Sequence, residues 1–188
     1  MLLLALRGGW ILSALLLIML WFWQKEPAHR VKVLRVLLGM IVTLAIVHLL
    51  AARFERPRPF NEQALLPQFG FPAGDAGVWF ALVAGITLLN WRIGLPLSLL
   101  FAALNVLQIG VGLHYLEDVV AGGSLGVIVG LLIGYFEDWF FFLTKPLLLL
   151  EDRLPAIFYT LAMLILLDLS RGLSGVIRVL ARLVNIEV

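Results

Sequence analysis

Cysteine is absent from the chain, histidine occurs only three times, and charged residues make up just 14% of the sequence. The first absence excludes thiolate catalysis, iron–sulfur clusters and cysteine zinc sites. The scarcity of charge excludes an ordinary soluble domain, in which about 25% of residues are charged. No dense basic run interleaved with aromatics occurs among the 14 Lys and Arg residues, which argues against a nucleic-acid partner. What fills the chain instead is apolar: 62% of its 188 residues are hydrophobic and the mean hydropathy is +1.04. These residues come in long runs, and a bilayer span needs roughly 20 of them. The composition is that of an integral membrane protein, so its chemistry must lie in the few polar residues.

The runs predict an all-α, multi-pass transmembrane helix bundle of about six spans, a single membrane domain over residues 1–188. Leu2 to Trp23 reads as a first span, retained rather than cleaved, and Gln24 to Lys32 as a loop broken by Pro27. Val33 to Ala52 is the second span, and Arg53 to Asp75 is a connection that Pro57, Pro59, Pro67 and Pro72 keep from being a regular helix. Ala76 to Asn90, Gly94 to Leu113 and Val119 to Phe136 follow, the third and fourth joined by a tight link carrying Arg92. Glu137 to Pro155 reads as a segment lying in the interface, Ala156 to Leu169 as a sixth span, and residues 171–188 as an amphipathic surface helix.

Gly126, Gly130 and Gly134 recur every four residues, a spacing that lets membrane helices approach closely. That face packs either on a neighbouring span or on a second copy of the chain. The Trp and Phe clusters read as interfacial anchors, and His48, inside a span, as a helix-packing hydrogen-bonder. Loop charge is a weak guide to orientation. Lys25, Arg30, Lys32 and Arg35 lean the first loop towards the cytoplasm, which places the proline-rich loop and the segment around His114 outside together.

Three polar segments emerge on that face: Arg56-Pro57-Arg58-Pro59, Phe71-Pro72-Ala73-Gly74-Asp75, and His114 with Asp118 four residues on. A His and an Asp at that spacing can face one another at a helix start, the carboxylate fixing the imidazole tautomer. An arginine supplies a planar fork for phosphate oxygens, and a glycine before a helix leaves backbone N–H groups open to an anion. Together they describe a phosphate site with a nucleophilic or basic histidine.

These segments resemble the type 2 phosphatidic acid phosphatase superfamily, which includes bacterial lipid phosphate and polyprenyl diphosphate phosphatases. The resemblance covers about Val33 to Phe136, and its specific part is Gly112-Leu113-His114-Tyr115 through Asp118-Val119-Val120-Ala121-Gly122. It implies a site with His114 as nucleophile, Asp118 as its orienting partner, and Arg58 and Gly74 at the phosphate. It also implies membrane lipids as partners, lipid phosphates or polyprenyl phosphates among them, and no metal or other cofactor. The implied location is a bacterial cytoplasmic membrane with the site facing outward.

Several positions depart from the family pattern. The first motif has Lys, six residues and Arg-Pro, and Ala51 stands where the Lys belongs. The second is Pro-Ser-Gly-His, and Ala73 and Asp75 replace the Ser and the His. The third opens with Ser-Arg before His114, and Gln108 replaces the Arg. A full site sets one Lys and two Arg against one Asp. Here Arg58 faces Asp75 and Asp118. Each unit charge at about 4 Å is worth roughly 4 kcal/mol at an effective dielectric near 20, so a phosphoryl dianion is far less welcome.

Two readings follow. One is an impaired site in a lipid-binding or accessory subunit of a membrane assembly, with a protein partner or a second copy of the chain. The other is a working phosphatase, in which Arg53 or Arg56 replaces the lost cations and a protonated Asp75 replaces the leaving-group acid. A third expectation is a cation site from Asp75, His114, Glu117 and Asp118, whose carboxylates and imidazole suit a divalent metal in ligand type without a metal-spacing motif.

Overall fold

The computed structural model describes residues 9–23, 27–54, 56 and 70–170, and the described residues form helices and no strand. The helices are α1 (Gly9–Trp23), α2 (Pro27–Phe54), α3 (Gly74–Leu89), α4 (Trp91–Gly110), α5 (Leu116–Tyr135), α6 (Glu137–Arg153) and α7 (Pro155–Ser170). Residues 30–54 of α2, together with α4 and α5, are long and apolar enough to cross a membrane, whereas α1, α3 and residues 155–165 of α7 are shorter apolar helices. The all-helical membrane architecture therefore stands. Leu2 to Gly8, the proline-rich stretch 57–69 and the amphipathic tail 171–188 lie outside the described residues.

Several boundaries move for local physical reasons. Pro27 does not break the chain but is the first residue of α2. Proline lacks only an N–H that has no partner in a first turn, and its fixed φ suits the helix start. The link at Arg92 belongs to the first turn of α4, because the Asn90 side chain accepts from the Arg92 backbone N–H at 3.0 Å and caps the helix. The segment after Glu137 is a regular helix with Pro146 inside it. Near its end Glu151 pairs with Arg30 of α2 and accepts from the Tyr159 hydroxyl of α7 at 2.8 Å, tying three helices together.

The centre of the bundle is α3, buried almost all round, with Ala76 to Val78, Trp79 and Ala81 to Ile86 shielded by neighbours. Trp79 lies fully buried against Phe101 of α4, ring centroids 5.6 Å apart, with the edge of Trp10 from α1 on its other side. Of the aromatic cluster that ends α1, Phe22 and Trp23 are exposed as anchors should be, whereas Trp21 is buried and stacked on Phe158 of α7, ring centroids 5.4 Å apart. Leu99 and Val106 of α4 and Ile128 of α5 point outward, the apolar surface that lipid requires.

The glycine ladder of α5 faces α3, not a second copy. A Cβ on Gly122 would fall inside the van der Waals envelope of the Ala73 carbonyl oxygen, one on Gly126 inside that of the Gly77 carbonyl oxygen, and one on Gly130 2.8 Å from the Ala81 carbonyl oxygen. Every fourth residue of α5 is answered by every fourth residue along α3 and its N-cap: Ala73, Gly77, Ala81. The two backbones touch along their length, and this contact fixes the start of α3 against the start of α5. His48 donates through Nδ1 to the Leu44 carbonyl at 3.0 Å, within its own helix.

Candidate functional site

Four helix ends converge at one end of the bundle: the exit of α2, the entry of α3, the exit of α4 and the entry of α5. The Ala73 N–H donates to the Asp118 carbonyl at 2.9 Å, and the Gly70 N–H to the Arg56 carbonyl at 2.9 Å. The three polar segments predicted on one face are therefore in contact.

The approach to His114 is set by backbone geometry. At the end of α4 the Gly112 N–H donates to the Ile109 carbonyl at 3.0 Å and the Leu113 N–H to the Gln108 carbonyl at 2.9 Å. The turn requires φ of 77° at Gly112, in the left-handed region that glycine occupies without strain. Two residues later His114 is delivered to the start of α5, 2% exposed.

Asp118 is fully buried in the first turn of α5. Its Oδ2 accepts from the Tyr115 backbone N–H at 3.0 Å, and its Oδ1 stands 3.4 Å from Arg56. The carboxylate thus caps its own helix and holds an arginine.

Arg56 reaches this end from α2. It donates to Glu117 at 2.8 Å and lies over the Tyr115 ring, 4.9 Å from its centroid. The Glu117 hydrogen bond, aided by the nearby charges of Asp118 and Glu117, raises the Arg56 pKa above its ordinary value, against the opposing effect of desolvation. The guanidinium therefore keeps its charge across any pH at which the protein would be assayed. Arg58, the cation that the motif places at the phosphate, lies outside the described residues.

Asp75 has partners that spacing did not foretell. Its Oδ2 accepts from the Gln108 side-chain amide at 2.9 Å and its Oδ1 from the Trp10 indole N–H at 3.2 Å. Asp75 and Gln108 are two of the positions that depart from the family pattern, and they bond to each other. Sequence reading missed Trp10, since nothing local ties a residue of α1 to one sixty-five positions away. Gly74 opens α3, where a Cβ would make ordinary contacts of 3.7 and 3.9 Å with Val47 and Leu44, so close approach does not demand glycine there. Ala73 precedes it as an N-cap whose side chain makes no capping hydrogen bond.

A model of the PAP2 superfamily matches residues 32–142, more than half of the chain. The chain belongs to the PAP2 superfamily. No curated protein and no solved structure matches it. In this PAP2 protein the turn after α4 delivers His114 to the entry of α5. The cation site considered from sequence finds no support: among the described residues no group of three or more His, Asp and Glu side chains is placed to hold a metal ion. Asp75 turns to Gln108 and Trp10, whereas Glu117 and Asp118 turn to Arg56.

The Asp75 network carries a stability prediction. Asp75→Ala leaves the Gln108 amide and the Trp10 indole without this acceptor, and an unmet buried donor costs about 1–3 kcal/mol. Glu117→Ala breaks an ion pair whose carboxylate is 74% exposed, and is expected to change stability far less. Thermal unfolding in detergent of the two variants beside the wild type checks the ranking, which fails if Glu117→Ala melts at or below Asp75→Ala.

Proposed function

We propose that this protein is a PAP2-fold membrane protein that has lost efficient phosphoryl transfer and acts as a lipid-binding or accessory subunit of a membrane assembly. The observation that carries the reading is the hydrogen bond between Asp75 and Gln108. In phosphoryl transfer the protein contributes mainly positioning and charge stabilisation. A neutral amide stands where the family pattern has an arginine, and it is bonded to the carboxylate that stands where the pattern has the leaving-group acid.

Were His114 to attack a phosphorus atom, the bond to the lipid oxygen would break and that oxygen would need a proton. Asp75 is poorly arranged to give one, because both of its oxygens accept hydrogen bonds. Arg56 is committed to two carboxylates, which cancels the charge it would offer a phosphoryl group. Lys25 before α2 and Arg30, Lys32 and Arg35 near its start support an orientation with the His114 end facing away from the cytoplasm.

A second reading, an active lipid phosphate or polyprenyl diphosphate phosphatase with His114 as nucleophile, is favoured by one feature: Arg56 does reach the entry of α5. Phosphate release from a panel of lipid phosphates and polyprenyl diphosphates separates the two. Between pH 4.5 and 8, wild type and His114→Ala are expected to release phosphate equally slowly. A release that His114→Ala abolishes would establish the enzyme and remove the first reading.

A further inference from the structure

At the opposite end of the bundle a cavity of about 50 Å³ opens between α2, α3 and α5, lined by Lys32, Arg35, Val36, Leu88 and Leu89 over glycines. The geometry points to a binding site for the phosphate of an anionic phospholipid, in the leaflet opposite the His114 end.

Size comes first. One water needs about 10–15 Å³ of such space, so the cavity holds a group of three to five heavy atoms, on the scale of a phosphate and too small for an acyl chain. Among the described lining residues the charge is one-sided: Lys32 and Arg35, three positions apart on α2, are cationic, and none is a carboxylate. Lys32 is half-buried and makes no hydrogen bond or ion pair to a described residue, so its charge is available to a ligand. Such an ammonium suits a phosphate oxygen and repels a free choline head.

Depth identifies the source of the phosphate. Helix α2 has 28 residues and is therefore about 42 Å long, against a hydrocarbon core of about 30 Å. If the helix is centred, each end overhangs by about 6 Å, and Lys32, five residues in, lies at the boundary between acyl chains and headgroups. Val36 lies one turn deeper than Lys32 on α2, and Leu88 and Leu89 at the end of α3 add apolar wall at the level of Lys32, where the first carbons of a lipid's chains would run. A lipid phosphate arrives at this depth with its chains already in place, whereas a soluble anion would have to leave water.

The floor explains why the cavity persists. Gly39, Gly85, Gly130 and Gly134 all line it, and at Gly85 and Gly130 a Cβ would come within 2.7 Å of Val36 and 2.8 Å of the Ala81 carbonyl oxygen respectively. Glycine at these positions leaves the floor without side chains, and the space above it stays open.

The test is native mass spectrometry of the full chain in detergent, titrated with phosphatidylglycerol or with phosphatidylcholine. The wild type is expected to retain one phosphatidylglycerol in preference to phosphatidylcholine. Lys32→Gln is expected to weaken that adduct about tenfold, the loss of one charge-assisted hydrogen bond, while Lys32→Arg retains it. Equal retention of the two lipids, or a phosphatidylglycerol adduct that survives in folded Lys32→Gln, overturns the proposal. An adduct with inorganic phosphate alone that Lys32→Gln removes would assign the cavity to a soluble anion and overturn it equally. Lys32→Met, which keeps an apolar stem of similar length, repeats the test should the glutamine variant melt early.

Discussion

Gly126→Ala is expected to be among the most damaging single substitutions in the chain, though it adds only one methyl group. The new Cβ would lie inside the van der Waals envelope of the Gly77 carbonyl and 3.0 Å from the Ala81 nitrogen. Both are backbone atoms of α3, so no side chain can swing aside and the two helices must separate. Overpacking a close-packed interior costs typically 1–3 kcal/mol, and a contact between two backbones belongs at about 3 kcal/mol. The separation would spread along the ladder, because Gly122, Gly126 and Gly130 share one interface, and would loosen the Ala73 N–H bond to Asp118 at its end.

A control of opposite sign sharpens the test. At Gly39, also mid-helix, a Cβ would meet only the Gly130 Cα at 3.8 Å and Ile133 at 4.0 Å, ordinary contacts. There the usual helix preference for alanine is expected to prevail, a gain of about 0.5–1 kcal/mol. Melting in detergent should therefore fall for Gly126→Ala and hold or rise for Gly39→Ala. If the two variants melt together, α5 does not pack on α3 through this face, and the pairing of glycines with a second copy returns.

How far the sequence led can be judged from the same residues. Hydropathy marked α2, α4 and α5 because each must present apolar surface to lipid, and four-residue spacing marked the glycine face because packing at that distance permits only small residues. What it missed depends on local capping or on contacts between distant positions. Pro27 looks like a breaker and is a helix start, a distinction that rests on which N–H groups already lack partners. Trp10 resembles any aromatic near a membrane surface, and only the packing of α1 on α3 brings its indole to Asp75. Asp75 and Gln108 were each legible as departures from the family pattern. That they compensate for one another across 33 positions was not, because hydrogen bonds between helices leave no local trace.

That compensation makes a gain of function testable. The variant carrying Ala51→Lys, Ala73→Ser, Asp75→His and Gln108→Arg restores the two cations, the hydroxyl of the second motif and the leaving-group acid of the family pattern. It is expected to release phosphate from lipid phosphates at least about 100-fold faster than the wild type, since a positioned general acid alone is worth 10²–10⁴-fold. The arginine and lysine would add charge stabilisation on a scale of roughly 4 kcal/mol per unit charge at about 4 Å. The substitutions must act together. Asp75→His alone removes the acceptor of the Gln108 amide and supplies no cation; Gln108→Arg alone places a charge at a fully buried position and pairs it with Asp75 instead of a phosphate. Groups that work as a unit are strongly non-additive, so each single change is expected to leave phosphate release near the wild-type level. The gain must also vanish when His114→Ala is added, since the phosphoryl group passes through that imidazole. A folded quadruple variant with no gain would show that the framework around His114 is no longer shaped for phosphoryl transfer. The side chains at these four positions would then follow from that change rather than cause it.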